Sequence, residues 1–223
     1  MQLPWQQLDC VLLDMDGTLL DLNFDNHFWQ EHIPLRYAEA RDLTLAEAHA
    51  QMQTRYSFAA ATLAWYSVDF WQTELDLDIM RLKEEVAHLI AVHPHVIDFL
   101  NALRAAGKQI ILVTNAHQKS LALKMQRTGL AAQFDTLISA HELGLPKEDP
   151  AFWELLRSRI PFQPARTLLV DDNVSVLDSA RAGGIAQLVL VTRPDTRRPQ
   201  TAGAAYPGIV DFGELLPGLI RTG

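Results

Sequence analysis

The chain has 223 residues, 48% of them hydrophobic and 21% charged, and a formal net charge of -8 at pH 7. This suits one large domain or a core with a smaller insertion, and it excludes fibrous and disordered classes. The acidic balance argues against a nucleic-acid binder, which needs a basic stripe, and no run approaches the ~18 uninterrupted apolar residues of a membrane span.

Residues 1–9 lack the basic and apolar segments of a secretory leader, so a cytoplasmic protein is expected. Residues 10–13, Cys-Val-Leu-Leu, are a continuous apolar run of the kind buried on both faces of a parallel sheet. Cys10, alone of its type in the sequence, rules out an intramolecular disulfide and reads as a small buried hydrophobe in a reducing compartment. The run stops at Asp14-Met15-Asp16-Gly17-Thr18. Ligands of open α/β sheets collect outside the carboxyl ends of the strands. Asp14 and Asp16 therefore stand where chemistry is expected, with Gly17 allowing a sharp exit.

Residues 21–92 show no strand pattern and read as a helical unit inserted into a core of residues 1–20 and 93–223. Within it the spacing predicts a helix over 24–33 ending before Pro34, and a Thr44-x-x-Glu47 capping box opening a helix through Tyr56. Further helices are predicted over 58–71 and 79–90. His93-Pro94-His95 then breaks the pattern and reads as a hinge; no third ligand accompanies the histidines to make a zinc site.

A helix over 96–106 closed by Gly107 leads into alternating elements: strands over 109–113, 136–139, 167–170 and 187–191, with helices over 120–128, 150–159 and 174–182. Such alternation implies a doubly wound parallel sheet, a Rossmann-like α/β core with an inserted all-helical cap. After residue 193 the signals weaken; a short helix over 211–216 is expected, and Arg193, Arg197 and Arg198 read as a solvated loop.

Three strands end in polar residues of matching character: Asp14-x-Asp16, Thr114-Asn115 and Asp171-Asp172-Asn173. Parallel strands bring such ends together. Four carboxylates in one crevice repel unless a cation lies among them, and all-oxygen ligation suits Mg²⁺, the usual companion of phosphate. Lys147, in a proline-flanked loop before a helix, can add a fixed positive charge, and the Thr114 hydroxyl can bind a phosphoryl oxygen.

These four features, in order, resemble the motifs of the haloacid dehalogenase-like superfamily of phosphohydrolases, over about residues 9–192. More narrowly, LDMDGTLLDL, FDNHFW, WYSVDFW, TNAH and PKED are similar to segments of the superfamily's bacterial GMP/IMP nucleotidases. The resemblance implies that Asp14 is the nucleophile and Asp16 the general acid–base. It also implies Mg²⁺ on Asp14, the Asp16 carbonyl and Asp172, Asp171 behind them, and phosphate held by Thr114, Asn115 and Lys147. A phosphomutase, or a phosphatase for sugar phosphates or other small esters, is the alternative on this scaffold. Phospho-accepting receiver domains use similar residues, but their acid pair lies on the first strand and they lack the long insertion.

A phosphoryl site cannot distinguish leaving groups, so selection falls to the cap. Most of Phe24, Trp29, Tyr56, Phe58, Trp65, Tyr66, Phe70 and Trp71 should pack inside it, with one or two facing the crevice where a purine could stack. Asn26 is the candidate donor to a six-position oxygen. The implied substrate is a small phosphate monoester, a purine nucleoside 5′-monophosphate, with no nucleic-acid or membrane partner.

Overall fold

A computed structural model describes residues 3–60, 62–201 and 205–220. Strands Cys10–Leu13 (β1), Gln109–Thr114 (β2), Thr136–Ser139 (β3), Thr167–Asp171 (β4), Gln187–Val191 (β5) and Gly208–Ile209 (β6) form one sheet in the order β3-β2-β1-β4-β5-β6. All neighbouring pairs are parallel. The short edge strand β6 lies in the stretch whose sequence carries little pattern.

The alternation of side chains across the pleat sorts the apolar residues onto two faces. Val11, Leu13, Ile110, Leu112, Leu168 and Val170 pack against the helices Val96–Ala105, Gln118–Thr128 and Leu216–Ile220. Cys10, Leu12, Ile111, Val113 and Leu169 face the helices Pro150–Arg159 and Val174–Ala182. The sheet is thus covered on both sides, which is why its central strands read as unbroken apolar runs. Burial also pushes the Cys10 thiol up to about 12, so it stays protonated and inert.

Chain order gives the helices Asn23–His27 (α1), Ile33–Arg41 (α2), Leu45–Ala59 (α3), Val68–Leu75 (α4) and Ile79–Glu85 (α5) between β1 and β2. Those assigned above to the sheet faces follow as α6 (96–105), α7 (118–128), α8 (150–159), α9 (174–182) and α10 (216–220). A third apolar cluster, including Phe24, Phe28, Tyr37, Met52, Trp71 and Leu82, is assembled from α1–α5 and the turns between them. The two crossings between these helices and the sheet run side by side. Leu20 bridges Val92, Asp21 N–H donates to the Ala91 carbonyl (2.9 Å) and His93 N–H to the Leu19 carbonyl (2.9 Å). The buried His93 ring also meets the Pro194 carbonyl at 3.0 Å, a structural contact at that crossing.

Four expectations for the helices need correction. Pro34 does not end the first helix: a π-helical turn, Phe28–His32, shifts the hydrogen-bond frame so that the proline falls in the first turn of α2. There its missing N–H breaks no bond. The helix predicted over 58–71, which passes through residue 61 outside the described residues, is instead the end of α3, a 3-10 turn Leu63–Tyr66 and α4. Ser67 opens α4 by accepting from Phe70 N–H (3.1 Å), and Phe58 is left exposed on α3 instead of packed in the cap. Finally, α5 stops at Glu85, followed by a 3-10 turn at Ala87–Leu89, and 211–216 is a 3-10 turn leading into α10.

No helix among the described residues is long and apolar enough to cross a membrane. Trp71 is fully buried at the centre of the helical cluster, with the Trp29, Tyr56, Trp65 and Phe70 rings at 5.6, 5.3, 5.8 and 5.0 Å, and its indole N–H donates to the Trp65 carbonyl (2.7 Å). Trp71→Ala should therefore cost about 3–5 kcal/mol. A thermal scan followed by near-ultraviolet circular dichroism checks this; an unshifted transition would contradict it.

Candidate active site

The registers Leu13↔Leu112, Leu13↔Val170 and Thr114↔Ser139 bring the carboxyl ends of β1, β2, β3 and β4 to one level. β1 lies at the switch point of the sheet order, where the connections diverge and ligands collect. A cavity of about 350 Å³ opens there, lined by Asp14, Thr114, Asn115, Lys147, Asp171 and Asp172 among others.

Lys147 is buried, and its ammonium donates to Asp14 Oδ1 (2.5 Å) and Asp171 Oδ2 (2.7 Å). Burial works against that charge, but the two carboxylates outweigh it and hold the lysine pKa above its ordinary value. The backbone around it is fixed from both sides: Asn115 Oδ1 accepts from Lys147 N–H (2.8 Å), and the Ser179 hydroxyl donates to the Lys147 carbonyl. Asn115 Nδ2 donates to Glu148 Oε2 (2.8 Å), so this amide is engaged in orienting the lysine loop. The Thr114 hydroxyl oxygen accepts from Ala116 N–H (3.0 Å), leaving its proton available to a ligand.

Oxygens of Asp14, Asp171 and Asp172 lie within 4.8 Å of one another. Both Asp171 oxygens are engaged, one by Lys147 and one by Asn173 N–H (3.0 Å). Lys147 pairs with Asp14 and Asp171 but forms no ion pair with Asp172. Burial pushes Asp14 up to about 6 against the pull of Lys147, and burial and the Asp14 charge together push Asp172 well above the carboxylate range. Two buried carboxylates thus share one ammonium while a third, half-buried, stands beside them unpaired, an arrangement of hard oxygen donors suited to a divalent cation.

Gly17 is required by this crowding. Its φ is +82°, a region L side chains rarely adopt, and a Cβ there would run into the Asp172 carboxylate.

Asp16 does not join the three carboxylates. Its Oδ1 accepts from the Lys124 ammonium of α7 (2.6 Å), which also donates to Asp25 Oδ2 of α1 (2.6 Å). Lys124 is 1% exposed. Asp25 Oδ1 in turn lies 3.4 Å from Lys83 of α5. A row of alternating charge, Asp16–Lys124–Asp25–Lys83, therefore crosses from the sheet into the inserted helices. Burial, then the neighbouring Asp25, push Asp16 up to about 6. Burial lowers Lys83 to about 8 despite Asp25.

Sequence reasoning missed Lys83, Lys124 and Asp25. A lysine in a helix reads as a solvated residue, and only the three-dimensional packing buries these two.

A second cavity, of about 340 Å³, adjoins the first and shares Asp16, Leu22, Tyr66 and Ala116 with it. Its wall carries Trp29, Tyr56 and Trp65, so more of the cap aromatics reach the crevice than the one or two expected. Asn26 is also on that wall, but its Nδ2 donates to Asp195 Oδ2 (2.7 Å) and its Oδ1 accepts from Gln30 Nε2 (3.2 Å). Tyr66 closes the junction, its hydroxyl donating to Glu148 Oε1 (2.9 Å).

Comparison with known proteins places this geometry. The family model for haloacid dehalogenase-like hydrolases matches residues 8–184. The chain is 41% identical over 218 residues to the GMP/IMP nucleotidase YrfG of Escherichia coli K12, covering 98% of both chains. It is 27% identical over 214 residues to a phosphoglycolate phosphatase of Pseudomonas putida, covering 93% of this chain and 78% of that one. Among solved structures, a HAD phosphatase from Thermococcus onnurineus superposes with a TM-score of 0.77 at 23% identity, covering 93% of this chain and 96% of the other. A β-phosphoglucomutase from Thermotoga maritima, described as putative, gives 0.69 at 18% identity, covering 97% and 100%. At such identities these two speak for the fold alone.

Gly17→Ala should displace the Asp172 carboxylate and weaken divalent-cation binding at least tenfold, about 1.4 kcal/mol, while the fold persists. Calorimetric titration with Mg²⁺ or Mn²⁺ measures it, and identical isotherms for the two proteins would overturn this account of the glycine.

Proposed function

The chain belongs to the haloacid dehalogenase-like hydrolases, and from that premise we propose that it hydrolyses phosphate monoesters, 6-oxopurine nucleoside 5′-monophosphates such as GMP and IMP above all. The observation that carries this reading is the pairing of two cavities across Asp16, one lined by carboxylates and a lysine, the other by aromatic rings. A phosphoryl group fits the first; a flat base stacked on the rings fits the second, with Asp16 beside the ester oxygen that joins them. The 41% identity to a protein named for GMP and IMP supports the same choice.

In this reading the Asp14 carboxylate attacks phosphorus and forms an aspartyl phosphate, splitting one hard displacement into two easier ones. Asp16 protonates the departing ester oxygen and later takes a proton from the water that hydrolyses the intermediate. A carboxyl with its pKa pushed up to about 6 is suited to both directions near neutral pH. Lys147 and the Thr114 hydroxyl bind the equatorial oxygens, where charge accumulates. Asn115 acts on the phosphate through Lys147, whose loop it holds.

Asp14, the Asp16 carbonyl and Asp172 are the groups we assign to Mg²⁺, with Asp171 keeping Lys147 in place behind them. The metal, when bound, offsets the repulsion between the nucleophile and the phosphate oxygens. We assign residues 1–20 and 93–223 to the catalytic core and residues 21–92 to the cap that selects the leaving group. The enzyme would work in the cytoplasm on a small ester, in keeping with its acidic charge and its inert cysteine.

A purified-enzyme screen of phosphate esters tests the reading: GMP and IMP should be hydrolysed faster than sugar phosphates. The opposite order would leave a sugar-phosphate phosphatase. Asp14→Asn should release no measurable phosphate while keeping a native circular dichroism spectrum, and chelation by EDTA should stop wild-type turnover until excess Mg²⁺ restores it. Turnover by Asp14→Asn, or turnover in EDTA, would refute the assignment of nucleophile or metal.

Lys124 acts in this scheme as a positioning residue for Asp16. Asp16→Asn should reduce kcat by ~10²–10⁴, the usual worth of general acid–base help, and Lys124→Met should reduce kcat in the same sense with little change in KM. A Lys124→Met enzyme with raised KM and unchanged kcat would show that the lysine serves binding instead.

A further inference from the structure

The aromatic cavity must do more than stack a base, because stacking does not distinguish one purine from another. Several polar groups of its wall are already engaged. Asn26 is tied to Asp195 and Gln30, and Gln30 Oε1 accepts from Arg198 (2.7 Å). The Tyr56 hydroxyl donates to the Trp29 carbonyl (2.8 Å), and that of Tyr66 donates to Glu148.

Lys83 differs from these. Its side chain is 3% exposed and lines the cavity, yet its ammonium has one long hydrogen bond, 3.4 Å to Asp25 Oδ1. Its other neighbours are the faces of Phe24, Phe28 and Trp29, with ring centroids at 5.0, 4.3 and 5.4 Å. Ring faces attract a cation but are poor partners for its N–H groups. Asp25 itself is held more closely by Lys124, at 2.6 Å. Lys83 is therefore a buried three-proton donor with donating capacity to spare, and it is the cation among the residues that line this cavity.

We propose that Lys83 is the specificity-determining residue for the base, its ammonium donating to the six-position carbonyl oxygen of a 6-oxopurine stacked against Trp29 and its aromatic neighbours. This rests on the nucleotidase reading above. The edge of a 6-oxopurine presents O6 and N7, both acceptors, and a group at position two lies away from it. A lysine there accepts guanine and hypoxanthine alike. Adenine sets an amino donor against the ammonium, leaving a buried charge short of a partner, which is the kind of mismatch that gives strong rejection. Asn26 then serves to hold the 193–198 loop against α1 and is not the reader of the base.

The test deletes the contact from both sides. Steady-state kcat/KM is measured for wild type, Lys83→Met and Lys83→Arg with IMP, AMP and purine riboside 5′-monophosphate, which lacks any group at position six. Wild type should favour IMP over the purine riboside ester by about 10- to 100-fold, the range of a hydrogen bond to a charged group. In Lys83→Met that ratio should fall to within a few-fold, and Lys83→Arg should recover part of it.

A lysine that merely holds the cap together would lower all three substrates in proportion and leave the ratio at its wild-type value, which overturns the proposal while the nucleotidase reading stands. Equal wild-type kcat/KM for IMP and the purine riboside ester overturns it without any variant, so a poorly folding Lys83→Met protein does not shield it. If wild type hydrolyses sugar phosphates faster than any of these nucleotides, the nucleotidase reading falls and this inference falls with it.

Discussion

The constraint on which the rest of the structure depends is the packing of Asp14, Asp171 and Asp172 around a single ammonium. Buried like charges are costly, and Lys147 offsets them only in part because it reaches two of the three. Much of the local backbone serves that arrangement. The parallel registers of β1 with β2 and β4 set the level of the acids, Gly17 clears room for Asp172, and Asn115 and Ser179 hold the lysine loop. A site so heavily charged is poised for an anion only when another cation enters with it, which is the electrostatic logic of a metal-assisted phosphohydrolase.

The parts of this design that the sequence made legible are those with a local signature. The strands over 10–13 and 167–171 are buried on both faces and so read as unbroken apolar runs, and the acids mark where they end. The Thr44 capping box was likewise visible because both of its hydrogen bonds lie within one turn, with Glu47 N–H donating to Thr44 Oγ1 (3.3 Å) and Thr44 N–H to Glu47 Oε2 (2.9 Å). Features that depend on distant partners were not legible. Pro34 looks like a helix stop unless one knows that a π-turn precedes it, and β6 is two residues whose pairing partner, β5, creates it. Lys83 and Lys124 carry no local mark of burial, since what distinguishes them is Asp25 and Asp16, up to 108 residues away. Nor does the sequence distinguish Asp171, which Lys147 engages, from its neighbour Asp172, which it does not.

The inserted helices and the sheet have separate apolar clusters, bridged by Ile90, which packs against one of each, and by Leu63, which packs on the sheet's other face; polar contacts add to these. They are of unequal worth. Lys119 meets Asp69 at 2.5 Å, but both side chains are more than half exposed, and such pairs contribute little once water and salt screen them. Tyr66 on Glu148 is better shielded, since the tyrosine is half-buried, and it ties the 3-10 turn to the residue next to Lys147.

A further link, Asp25 on Lys124, is of another kind because the lysine is almost wholly out of water. Removing one member of a buried pair costs about 3–5 kcal/mol, far more than the pair is worth against an apolar replacement. Lys124 also holds Asp16, so a single ammonium fixes both the α1 helix and the carboxylate we assign to proton transfer. The consequence is a mechanical dependence: any displacement of α1 that takes Asp25 away leaves Lys124 with Asp16 alone, and any ligand that draws on Lys83 alters the field at Asp25. The leaving-group recognition we propose for the aromatic cavity and the proton transfer we assign to Asp16 are therefore joined by one row of four side chains, each in direct contact with the next. In such an arrangement the cap contributes to the chemical step through the placement of charge, and a base that fits the cavity poorly is penalised in rate as well as in binding.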